Sequence, residues 1–306
     1  MRGNAAPPFA NQPRHDNSED MVSPEDPRQR LGFLVANMLA EKAQQSLPWY
    51  DSNWLRCFVA AVETIERIRP QMRAPFIDAF ARLRTPSDFS PKKLDRVFDA
   101  ATMELIVQTI KTLPPARHET HEVERFGRTV VHDHPVFDEL QRTLIPRVSE
   151  LAGEELEPSY NFASLYSRLG VCEPHMDAPE AKRTLDLCVD QSESWPLHLS
   201  QIVPWPADRS YAGGDWQERV KRLPDLEWSS HSLRPGESLF VAGRSHWHYR
   251  DRLPHPQANS FCTLLFFHFL PKGMKEIVRP ENWPSRFGIP ELAGTVGLVE
   301  FDKTGN

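Results

Sequence analysis

Apolar residues recur every three or four positions along the first half of the chain and alternate with polar ones in short runs along the second, with the change near residue 158. From 28 to 157 the period is helical. "RLGFLVANMLAEKAQ" puts Leu31, Phe33, Leu34, Met38 and Leu39 close to one face, and "SNWLRCFVAAVETIERI" predicts a helix capped by Ser52. "SPKKLDRVFDAATMELIVQTIKTL" opens on Ser90 and Pro91, a cap followed by a first-turn proline. "PVFDELQRTLIPRVSELAG" predicts one more helix, bent or broken at Pro146.

From 158 to 272 the texture is that of strands. "SYNFASLYSRLG", "KRTLDLCVD", "WPLHLSQIV", "ESLFVAG" and "NSFCTLLFFHFL" are rich in β-formers and separated by Pro, Gly and polar clusters. No helix-length pattern lies between them, which argues against a parallel α/β sheet and for a sandwich or jelly roll. In "KRTLDLCVD", Leu185, Leu187 and Val189 project to one side and Thr184, Asp186 and Cys188 to the other. Such a strand suits a sheet that leans on helices and lines a pocket. The expected class is α+β, a jelly roll with a helical N-terminal layer. A Pro-, Asn- and charge-rich arm at 1–27 reads as disordered, and a proline-punctuated tail at 273–306 is expected to wrap the body.

With 306 residues the chain can bury a core that needs no staples. Its net charge of −6 and lack of long basic runs argue against a nucleic-acid partner. The four cysteines, Cys57, Cys172, Cys188 and Cys262, form no C-x-x-C pair, which fits a reducing compartment. The first thirty residues lack the apolar stretch of a signal peptide, and "FCTLLFFHFL" is about half the length of a membrane helix. A cytoplasmic protein with no membrane association is expected.

The candidate chemistry sits in "EPHMDAP". His175 and Asp177 are two apart, so in extended chain they project the same way. Two imidazoles and a carboxylate on one face hold iron(II) and leave the opposite face open. The third ligand would come from "VAGRSHWHYRDRLP", which offers His246 and His248. Zinc is the weaker fit, since cysteine ligands and an H-E-x-x-H are absent. His268 reads as a core histidine, and His118, His121, His132 and His134 as part of an exposed polar loop. Gly213 and Gly214 mark a flexible lip rather than a phosphate loop, and Trp195 and Trp247 are candidates for a pocket wall.

The stretch 158–270 resembles the iron(II)/2-oxoglutarate-dependent dioxygenases, whose double-stranded β-helix carries an H-x-D…H triad. Tyr166 stands nine residues before His175, with Gly170 and Pro174 between, similar to the prolyl-hydroxylase-like branch. Arg183 and Thr184 follow the H-x-D as R-T, and Gly243, His248, Tyr249 and Arg250 match a G-x-x-x-x-H-[YW]-R strand. The resemblance implies His248 as third ligand, with Fe(II) as cofactor and 2-oxoglutarate and O2 as co-substrates. It implies hydroxylation of an unactivated C–H bond in an amino acid, peptide or protein side chain, or small metabolite. Asp177 favours this over halogenation, because related halogenases replace that carboxylate with a small residue.

One feature of the family is missing. The stretch after the distal histidine, "HPQANSFCT", lacks the Arg or Lys that would grip the far carboxylate of 2-oxoglutarate. Arg250 is the first substitute and Arg168 the second; Arg183 has the parity that faces away. Tyr166, Thr184 and Ser260 are the hydroxyl candidates. Without a cation in the pocket, the alternative is a metal-binding jelly roll that does not use 2-oxoglutarate.

Overall fold

The structure, a computed structural model, describes residues 53–203, 220–254, 257 and 259–295. The arm at 1–27, the helix expected around 31–44, the Ser52 cap and the Gly213–Gly214 lip lie outside them.

Among the described residues, ten strands form two antiparallel sheets. They are β1 (Lys92–Leu94), β2 (Arg128–His132), β3 (Leu156–Tyr166), β4 (Cys172–His175), β5 (Arg183–Gln191), β6 (Leu197–Ile202), β7 (Trp228–His231), β8 (Ser238–Val241), β9 (His246–Arg250) and β10 (Cys262–Pro271). One sheet has the order β1-β8-β5-β10-β3-β2, the other β4-β9-β6-β7. From β3 onward the chain passes back and forth between the sheets, with only β6 and β7 joined as a hairpin-like pair in one of them. That winding is the double-stranded β-helix.

The upstream segment is less purely helical than its periodicity predicts. β1 and β2 extend the larger sheet at its two edges. Lys92–Leu94 pair with β8, so the expected cap at Ser90 gives way to a strand. The helix starts later, as Ala100–Lys111, where the Asp99 carboxylate accepts from Thr102 N at 2.8 Å. The segment read as an exposed histidine loop contains β2, whose Val130 and Val131 are buried. The helix Pro135–Ala152 runs unbroken through Pro146. Pro146 lies on its exposed side, where water can take the freed carbonyl, while Phe137, Gln141, Leu144 and Val148 hold the opposite face in the core.

The core has distinct parts. Leu185, Leu187 and Val189 of β5, with Phe267 and Phe269 of β10, pack against Ile106, Phe137 and Leu144 from the two helices. Each such buried side chain contributes roughly 1.5–3 kcal/mol. A second cluster joins the helix Asn53–Ile68 to the C-terminal segment through Trp54, Phe58, Phe76, Phe80 and Trp283. Two indoles are tied to it by hydrogen bonds, Trp54 Nε1 to the Val278 carbonyl and Trp283 Nε1 to that of Ile277. No helix among the described residues is long and apolar enough to cross a membrane.

Candidate metal centre

β4 and β9 lie side by side in the smaller sheet, with His175 and His248 as register partners. Asp177 follows β4 and is held by its own backbone, its N–H donating to the Gly243 carbonyl at 3.0 Å. This brings together one ligand atom from each of His175, Asp177 and His248, all within 4.8 Å of one another. Asp177 Oδ1 is 3.6 Å from His175 Nε2 and 3.3 Å from His248 Nε2.

Each imidazole is oriented by a local backbone bond. His175 Nδ1 reaches the Glu173 carbonyl at 2.8 Å, and His248 Nδ1 that of His246 at 3.0 Å. A carbonyl only accepts, so both Nδ1 atoms carry protons and both Nε2 atoms aim at Asp177. Two Nε2 donors and a carboxylate oxygen on one wall of a cavity fit a divalent cation. Electrostatics agree. Burial pushes the Asp177 carboxyl up, but His248, then His268 and His175, outweigh it and hold it well below the usual carboxylate range.

Gly243 makes the approach of Asp177 possible. A Cβ built there would stand 1.8 Å from Asp177 Oδ2, inside any allowed contact. Oδ2 also accepts from the Thr184 hydroxyl at 3.1 Å. The cavity measures about 520 Å³ including its open mouth, and Tyr166, Thr184, Asp186, Arg128, Arg250 and His268 are among its walls.

Several expectations change here. Arg250 does line the cavity, but its Nη2 is 2.6 Å from Asp186 Oδ2 and its Nη1 donates to the Trp195 carbonyl. Its charge is thus already countered. Arg168 is exposed, because β3 ends at Tyr166 and the chain turns, with Gly170 N bonded to the Ser167 carbonyl. Strand parity does not extend past that turn. Ser260 is buried in the loop before β10, where its hydroxyl accepts from Gln257 N; it does not reach the cavity. Thr184 is in the cavity wall, but its one proton goes to Asp177 rather than to a co-substrate.

The two tryptophans proposed for the wall are core residues, Trp247 beside the N-terminal helix cluster and Trp195 edge-on to Tyr166 at 4.8 Å. His246 starts β9 and points its Nδ1 at the Ser200 carbonyl, 2.6 Å away. Burial pushes its pKa down to about 4, and that of His268 likewise to about 4. His268, expected in the core, is buried yet also lines the cavity.

A further cation in the cavity wall, which sequence reasoning misses, is Arg128. It stands on β2 opposite Tyr166 of β3, donating from Nη1 to the Tyr166 hydroxyl at 2.7 Å. Nε is given to Glu122, while Nη2 makes no hydrogen bond to the described residues. Burial works against its charge, but the Tyr166 phenol and Glu122 outweigh it and raise the pKa. The available signal was "GRTVVH", a short β-rich run after a glycine. Gly127 adopts φ +66° there, ending a helical turn and feeding the strand.

No family model and no curated protein matches the chain. Among solved structures it is similar to HygX from Streptomyces hygroscopicus with nickel and 2-oxoglutarate bound. The identity is 14%, the match covers 65% of this chain and 87% of that one, and the TM-score is 0.45. It is similar to the non-heme alpha ketoglutarate dependent carbocyclase SnoK from nogalamycin biosynthesis, at 12% identity, 61% and 87% coverage and TM-score 0.45. It is also similar to an oxidoreductase of the 2OG-Fe(II) oxygenase family from Burkholderia pseudomallei, at 12% identity, 64% and 89% coverage and TM-score 0.42. At these identities the residues of the site have to carry the function.

Proposed function

We propose that the chain is an iron(II)- and 2-oxoglutarate-dependent oxygenase that oxidises, most simply by hydroxylation, a C–H bond of a small molecule or amino acid. The supporting observation is the convergence of three donor atoms within 4.8 Å, both imidazoles presenting Nε2, at the wall of a cavity. His175, Asp177 and His248 would hold the iron. When bound, iron(II) supplies the chemistry that couples decarboxylation of 2-oxoglutarate by O2 to oxidation of the substrate.

The chain's own residues do the rest. Arg128, with its spare Nη2 and with Tyr166 beside it, would bind the far carboxylate of the co-substrate by charge-assisted hydrogen bonds. Phe162, Phe266, Leu197 and Val241 supply apolar wall that excludes water from the reacting end. The buried Arg250–Asp186 pair also lines the cavity, its opposite charges facing each other.

A second reading has one observation in its favour. Both cavity arginines already face a carboxylate, Arg128 with Glu122 and Arg250 with Asp186. A jelly roll that binds metal without 2-oxoglutarate is therefore the alternative. Succinate formation separates the two: iron-loaded protein given 2-oxoglutarate and O2 should release succinate. Tight iron binding with no succinate under any substrate mixture favours the alternative.

A further inference from the structure

β5 and β10 are neighbours in the larger sheet, and His268 is the register partner of Thr184. Thr184 Oγ1 lies 3.1 Å from Asp177 Oδ2 and 3.0 Å from His268 Nδ1. A carboxylate only accepts, so the hydroxyl donates its single proton to Asp177 and its oxygen accepts a hydrogen bond from His268 Nδ1–H. This order fixes the tautomer of His268, with Nε2 bare. Among the described residues, Nε2 indeed has no hydrogen-bond partner. The ring packs against two aromatic neighbours on β3, 4.2 Å from the Tyr160 ring and 5.5 Å from Phe162.

Asp177 Oδ2 also lies against Gly243, whose missing Cβ would overlap it and would stand 3.0 Å from Thr184 Oγ1. Oδ2 is thus held by the Thr184 hydroxyl and the close approach to Gly243, and Oδ1 is the oxygen that faces His175 and His248. We infer that Thr184 and His268 form a positioning relay that pins one oxygen of Asp177 and presents the other as a single-atom ligand. A carboxylate free to rotate would offer both oxygens to a cation and fill a position that an open two-histidine, one-carboxylate site needs for its substrates. The inference rests on the proposed metal site and goes further by naming what orients its carboxylate. Neither Thr184 nor His268 touches the cation; both act through Asp177.

The test uses the full chain under anaerobic conditions. Iron(II) affinity is read by competition with a chelator, and cobalt(II) serves as the visible probe of coordination. Thr184→Val and His268→Phe break the relay; Thr184→Ser and His268→Asn keep a hydroxyl and a donor at the Nδ1 position. The two breaking variants should weaken iron(II) binding by about tenfold to a hundredfold and change the cobalt(II) spectrum. The conservative pair should stay near wild type. Combining Thr184→Val with His268→Phe should add little, since a chain broken once is broken.

Wild-type affinity and spectrum in His268→Phe would overturn the relay, as would fully additive losses in the double variant. If Thr184→Val fails to fold, His268→Phe against His268→Asn decides the matter alone. A wild-type protein that binds no iron(II) overturns the metal site and the relay together. Tight binding in wild type and all variants overturns the relay alone.

Discussion

One face of β5 carries Leu185, Leu187 and Val189 into the helices, and the other carries Thr184 and Asp186 into the cavity. The apolar face is specified by volume: any well-packed hydrophobic set of the right size would serve it. The polar face is specified by partners. Thr184 has Asp177 and His268, and Asp186 has Arg250. A change on the first face should therefore cost stability and spare the site, while a change on the second should cost the site and spare the fold.

The widest separation is expected from Asp177→Ala, which should abolish iron(II) binding and succinate formation with little change in thermal stability. Its counterpart, Leu187→Ala, should lose about 2–5 kcal/mol of stability in urea titration and keep its iron affinity. Gly243→Ala comes next. It adds one methyl group on the cavity side and forces Asp177 aside, so iron(II) affinity should fall strongly in a chelator competition while the unfolding midpoint moves little.

Arg128→Ala should raise the 2-oxoglutarate concentration for half-maximal succinate formation by about ten- to a hundredfold, the worth of one or two charge-assisted bonds. Arg168→Ala, on the exposed turn, should leave it unchanged.

An effect confined to acid conditions concerns His246, a buried polar residue outside the cavity, whose pKa burial pushes down to about 4. An unfolded histidine takes its proton near pH 6.5. Between those values the unfolded chain holds the proton and the folded chain does not, so stability falls as pH drops from about 6.5 to 4. His246→Asn should flatten that slope, by on the order of 3 kcal/mol at its low end, in denaturant titrations repeated across the window.

The same contrast explains what was legible in the sequence. Alternation in "KRTLDLCVD" placed both faces of β5, because a strand has only two. That His175 and Asp177 stand together was legible because their spacing is local, and that His248 joins them because its strand carries a recognisable pattern. The pairing of the cavity's arginines, and the presence of Arg128 among them, were not. How an arginine is paired depends on distant residues: Asp186, which faces Arg250, and Glu122, which faces Arg128, both lie outside the arginines' own strands. Arg128 sits on a five-residue strand that joins the sheet only through pairing with β3. Parity misplaced Arg168 because the strand had already ended at Tyr166. Parity likewise allowed His246 and His248 to share a face, until the register shift between β6 and β9 set His246 against the Ser200 carbonyl.

The central claim is that His175, Asp177 and His248 hold iron(II) at a cavity that takes 2-oxoglutarate. Anaerobic titration with iron(II) and then 2-oxoglutarate tests it most directly, through the weak visible band that appears when the 2-oxo acid chelates the metal. The band should form in wild type and in His246→Ala and be absent in His248→Ala. A band that survives His248→Ala and disappears in His246→Ala would contradict the triad. Iron binding with no band in any protein would show a metal site that does not use 2-oxoglutarate.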